Sequence, residues 1–95
     1  MDAEDKRTLD SLTCSVQLHM DIKAHERNYD NLLTLCTYAT SSNPKFSSEG
    51  QAAVEWRDGV WAKCYEVMAD VMDGKRAIPT REELIAELPV FNWPS

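Results

Sequence analysis

Glycine and proline are scarce, three and four in 95 residues. Gly50, Gly59 and Gly74 stand alone, so the chain holds no Gly-rich loop of the kind that cradles a phosphate. Cysteine is as rare as glycine, with three. Cys14, Cys36 and Cys64 lie far apart, with no CxxC pair and no histidine at ligand spacing, which excludes the zinc and redox motifs built on those spacings. An odd count argues against a disulfide framework, and the three are expected to be buried thiols, with one intermolecular bridge left open. No apolar run approaches the roughly 20 residues needed to cross a bilayer, and the start MDAEDKRTLD is too charged for a signal peptide. A soluble, intracellular chain without a membrane partner is expected. Positive charge is short as well: ten basic against sixteen acidic residues give a net charge of -6. That sign opposes phosphate neutralisation, so nucleic acid is not an expected partner.

The length suits one domain over 1–95 with one core. Its most secure element is a long helix from about 48 to 73, with Ser48 as N-cap, Gln51 three residues later and Gly74 as the stop; Asn43 followed by Pro44 offers an alternative start. At helical spacing Ala53, Trp56, Val60, Trp61, Cys64, Tyr65, Val67, Met68, Val71 and Met72 cover about half the circumference, wider than the usual stripe of about 100°. Such a helix needs two neighbours. Glu55, Lys63, Glu66, Asp70 and Asp73 mark the opposite face, where Gly59 reads either as a tolerated cost in a solvated face or as a place of close approach.

A second helix is expected in PTREELIAELP, where Thr80 and Glu83 make a capping box, Leu84, Ile85 and Leu88 face inward and Pro89 ends the run. The last residues, 89–95, carry Phe91 and Trp93, large apolar groups that must dock on the body or on a partner. A third helix spans about 30 to 38 with Asp30 as cap, followed by TSSNPKFSS as a loop. Residues 12–22 alternate apolar and polar like a strand. A strand there has no internal partner in the rest of the chain and would pair with a second copy, so helix is the preferred reading. As a helix it shows two patches, Leu9, Leu12, Val16 and Met20 on one side and Leu18, Ile22 and Tyr29 on the other. Residues 1–8 are expected to form a flexible lead. The fold class is therefore all-α, a small bundle of three or four helices with one long central helix.

Constellations that carry chemistry are thin. His19 and His25 are six apart, which puts them far round a helix from each other, and both read as surface residues rather than metal ligands. A cysteine nucleophile requires folding to bring a thiol against one of them. Acidic pairs such as Glu82 and Glu83 fit helix N-terminal electrostatics. No catalytic residue, cofactor site or metal site is assigned, and the chain is read as not an enzyme. Arg57 is the sharpest local feature, because it falls in the middle of the apolar arc one turn before Trp61. Three readings stand: a packed stem with the guanidinium at the rim or over an indole, an ion pair with Asp21, Glu26 or Asp30, or a site for an incoming acidic group. Each of the first two predicts that Arg57→Ala costs more than a change at an exposed site. Trp56 and Trp61 read first as core, while Trp61, Tyr65, Met68 and Met72 along one edge are the anchors expected of a protein interface. Candidate interaction residues are thus Arg57, Trp61, Tyr65, Met68, Met72, Phe91 and Trp93.

The segments RNYDNLLTLCTYA and KFSSEGQAAVEWRDGVWAKCYEVMADVMDGKRAIPTREELIAELP cover about two thirds of the chain. Their features are Tyr29-Asp30 followed by Tyr38-Ala39, the Phe46-x-x-Glu49-Gly50 run, Trp56-Arg57 with Val60-Trp61, and a last helix capped by Pro79-Thr80 and closed by Leu88-Pro89. In these features the chain resembles small helical proteins and segments encoded in the tail regions of bacteriophages and prophages. The resemblance implies a non-catalytic tail component or tail-assembly factor, with other phage tail proteins or further copies of itself as partners. It places the protein in the bacterial host cytoplasm during assembly and in the virion tail. An alternative is a phage-encoded, host-directed protein that binds and blocks a bacterial target, for which an acidic surface suits a basic site.

Overall fold

The computed structural model describes residues 3–94. Four helices follow one another, α1 (Ala3–His25), α2 (Leu32–Thr37), α3 (Pro44–Met72) and α4 (Arg81–Glu87), with a 3-10 turn at Tyr38–Thr40. From residue 88 to 94 the chain is an extended tail, and no strand occurs among the described residues. The all-α expectation holds, with α3 as the long helix: its 29 residues at 1.5 Å each account for most of the 47 Å long axis of a body about 20 Å across.

Residues 12–22 lie inside α1, whose buried residues Leu9, Leu12, Val16, Met20 and Ala24 recur every three or four positions. The alternation arises because Cys14, Leu18 and Ile22, each four apart, fill the opposite side of the same helix. That side is open. Leu18 and Ile22 are each 51% exposed and Cys14 is exposed, so the expectation of three buried thiols fails at Cys14. Tyr29 is not part of this patch, because α1 stops first. Asn28 adopts a left-handed φ of 69°, the Tyr29 N–H donates back to the Ala24 carbonyl and the Asn28 N–H to that of His25. This is a Schellman stop, with asparagine in the position glycine usually takes. Of the lead expected to be flexible, residues 3–8 form the first turns of α1 and residues 1–2 lie outside the described residues.

Two caps differ from expectation. Asn31, not Asp30, caps α2, its carboxamide oxygen accepting the Thr34 N–H at 2.8 Å. Helix α3 takes the alternative start at Pro44 and not the preferred one after Ser48: Asn43 Oδ1 accepts the N–H groups of Lys45 and Phe46, and proline at the first position has its φ preset. Half of the expected loop is therefore helix. The local signals elsewhere hold, with Gly74 at φ 75° ending α3 and the Thr80–Glu83 capping box opening α4.

Helices α1 and α3 run antiparallel. Leu9, Leu12 and Val16 share a small apolar void with Cys64, Val67 and Met68, His19 packs edge-on against Trp56, and Arg27 beyond the end of α1 reaches Glu49 near the start of α3. The short α2 and the 3-10 turn cover one flank of this pair. They can do so because Gly50 has no side chain: a Cβ there would stand 2.6 Å from the Tyr38 carbonyl carbon and 2.8 Å from Ala39 Cα. The Ser47 hydroxyl and the Gln51 amide donate to the Ala39 carbonyl and hold the turn in that position.

The tail covers the other flank. Trp56 donates its indole N–H to the Pro89 carbonyl at 2.8 Å, and Phe91 is buried between Trp56 and Trp93 with ring centroids 4.9 Å from each. Gly59 sits beneath Pro89, where an added Cβ would lie 3.4 Å from the proline ring. The close approach read as one possibility at Gly59 is made by the chain's own tail. Arg76 braces the last connection through two parallel hydrogen bonds to Glu87, at 2.9 and 2.8 Å.

The two glycines separate under substitution. Gly50→Ala has to displace backbone and is expected to destabilise by at least about 2 kcal/mol. Gly59→Ala meets only an ordinary contact and gains helix propensity, so it should be neutral or stabilising by up to about 1 kcal/mol. Urea unfolding of both variants measures the difference.

Candidate functional site

The expected interaction residues fall into two groups. Phe91 and Trp93 dock on the body of the chain itself. Trp93 lies almost parallel to Tyr29, 14° between planes at 6.3 Å, donates its N–H to Glu26 at 3.2 Å and lies beneath the Arg27 guanidinium, 4.9 Å from the ring centre. The Trp93 N–H, and then Lys23, hold the Glu26 carboxyl below its usual range. These two residues close the fold.

Trp61, Tyr65, Met68 and Met72 behave differently. They follow one another along a single ridge of α3, spaced four, three and four. Tyr65 and Met72 are 66% and 64% exposed, while Trp61 and Met68 are half-buried. Trp61 and Met68 pack partly against the core, and Tyr65 and Met72 stand out from it. At its head an open hollow of about 440 Å³ is lined by Gln17, Asp21, Leu33, Arg57 and Trp61 among others.

Arg57 reaches the rim of that hollow, as the first reading allowed, and not one of the three expected carboxylates. Its guanidinium donates to Asp58 Oδ1 through Nε and Nη2 at 3.2 and 3.0 Å. Asp21 is taken up locally, accepting the Leu32 N–H at 2.9 Å and the Gln17 amide at 3.0 Å. Glu26 is occupied by Trp93. The pair with Asp58 is half exposed, so Arg57 contributes little to stability.

The buried ion pair lies elsewhere and was not read from the sequence. Glu49, 3% exposed, accepts from Arg27 at 2.6 Å and from the Tyr29 hydroxyl at 2.9 Å. Tyr29 also meets Tyr38, which meets Phe46, so this end of the molecule is an aromatic cluster around one satisfied carboxylate. Burial, then the hydrogen bond to Glu49 and its negative charge, push the Tyr29 phenol up to about 12.

Among the described residues no thiol shares a hydrogen bond with an imidazole. Burial pushes Cys36 and Cys64 up, the wrong direction for a thiolate at neutral pH. His25 is exposed, with Nε2 2.6 Å from the Asp30 carbonyl, but His19 is not the plain surface residue expected: it is half-buried with its ring on Trp56. Among the described residues no helix is long and apolar enough to cross a membrane, and no group of three or more His, Cys, Asp or Glu is placed to hold a metal. No family model, curated protein or solved structure matches the chain.

Arg27 and Arg57 are expected to differ in a urea titration. Arg27→Met leaves the Glu49 carboxylate buried with only a phenol as donor and should cost about 2 to 3 kcal/mol. Arg57→Ala should cost about 0.5 kcal/mol, the scale of a surface pair. Tyr29 adds a pH dependence. Its pKa is raised on folding, so its contribution is intact below its unfolded value of about 10 and is lost as pH climbs through its folded value of about 12. The alkaline fall in stability should therefore be shallower in Tyr29→Phe; identical profiles would show that the phenol does not carry it.

Proposed function

We propose that the protein is a non-catalytic component or assembly factor of a bacteriophage or prophage tail, acting through protein-protein contacts. It works in the host cytoplasm during assembly and, when incorporated, in the virion tail. The observation that carries this reading is the partly exposed ridge of Trp61, Tyr65, Met68 and Met72. The molecule draws even its last tryptophan onto the body, while here Tyr65 and Met72 stand mostly in water beside the half-buried Trp61 and Met68. Such residues are the ones that anchor protein interfaces. The resemblance of residues 27–39 and 45–89 to tail-encoded helical proteins supplies the setting.

A second reading, a host-directed blocking protein, is favoured by one observation, the net charge of -6, which suits a basic target surface. Mass analysis of purified tails and of tail-assembly intermediates from the encoding phage separates the two. Under the first reading the polypeptide is found in one of these fractions, and its deletion yields heads without functional tails. Normal tails assembled in its absence would sink that reading, and recovery in complex with one host protein would establish the second.

A further inference from the structure

The three tryptophans spend their N–H groups differently. Trp56 donates to Pro89 and Trp93 to Glu26, whereas the Trp61 indole has neither an acceptor nor a ring partner among the described residues. It forms one wall of the hollow between α1, α2 and α3. Opposite in chemistry stands Asp21, whose two hydrogen bonds both fall on Oδ1, so Oδ2 accepts none from the described residues. The cation in the hollow is already matched, because Arg57 is held by Asp58. What remains unmatched is an acidic oxygen and an indole that line the same hollow, with Leu33, 70% exposed, on the rim.

We propose that the α3 ridge from Trp61 to Met72, with this hollow at its head, docks an amphipathic helix of a basic partner protein, one lysine or arginine of which enters the hollow. The inference rests on the protein-contact reading above and names the chemistry of the contact. The ridge runs eleven residues, about 16 Å at the helical rise, which matches three turns of a second helix and exceeds what a small ligand spans. Its four-three-four spacing is the complement of an apolar stripe on such a helix. Charge decides between partners. A second copy would bring another net -6 against this one, while a cationic helix gains from the field of the whole chain, from Asp21 and from the Trp61 ring.

The test is a titration of the intact protein, followed by NMR of backbone and indole N–H groups, with an eighteen-residue helical peptide of leucine on one face and lysine on the other. Trp61→Phe identifies the indole signal. The expected result is a shift centred on the Trp61 indole and on residues 61–72. Asp21→Asn should weaken binding about fivefold, and Tyr65→Ser with Met72→Ser about tenfold or more; both exposed positions leave the core untouched. Three results would overturn the proposal: equal shifts with a leucine–glutamate peptide of the same spacing, lysine-peptide shifts spread over the surface without Trp61, or a Trp61 signal that moves with protein concentration alone, which would place a second copy there. The presence of the chain in tail fractions is measured independently of any peptide, so failure here leaves the broader reading standing or falling on its own result.

Discussion

Trp56 joins three pieces of chain that no local rule brings together. Its ring packs against His19 of α1 and Phe91 of the tail, and its N–H is spent on the Pro89 carbonyl. A buried indole demands both an apolar enclosure and one acceptor. The tail supplies both within three residues, and it can approach because Gly59 lies on the next turn of α3. The long helix and its closing strap are thus specified by one side chain and one absence of a side chain.

A helix that is apolar over half its circumference has to be covered on two flanks, and this chain covers them unequally. Near the start of α3, Gly50 lets the 3-10 turn lie on the helix backbone and α2 closes one flank, while the tail closes the other. Only α2 and the turn are available on the first flank, and six residues of helix plus three of turn span about 15 Å at their respective rises of a much longer rod. The ridge beyond Trp61 is what this shortage leaves open. Its exposure follows from element lengths, and no strain or unsatisfied group is needed to explain it.

Much of this fold was legible wherever a local signal decided the outcome. The Thr80–Glu83 box, the Gly74 stop and the three-to-four spacing of buried residues in α1 act within one or two turns. Where several local signals competed, the reading was off by a few residues, as with Asn43 against Ser48 and Asn31 against Asp30. Long-range pairing was not legible. Arg27 and Glu49 are a loop, a helix and a turn apart, and nothing in their neighbourhoods marks them as partners. Arg57 shows the converse: its position on the apolar arc was read correctly, yet a flexible side chain left the arc for the adjacent Asp58. Trp56 and Trp61 stand about 140° apart round the helix and so meet different neighbours, Trp56 facing His19 and the tail and Trp61 the hollow beside α1 and α2.

The Arg27–Glu49 pair adds a constraint that apolar packing alone does not impose. A carboxylate buried to 3% exposure is tolerable only where Arg27 and Tyr29 both reach it. Arg27 in turn lies over Trp93, and Trp93 is tied to Glu26, so the register of the tail is coupled to the start of α3 through charge. This chain of polar contacts fixes the tail on its own flank of α3, and on the ridge from Trp61 to Met72 the side chains of Tyr65 and Met72 stay in water.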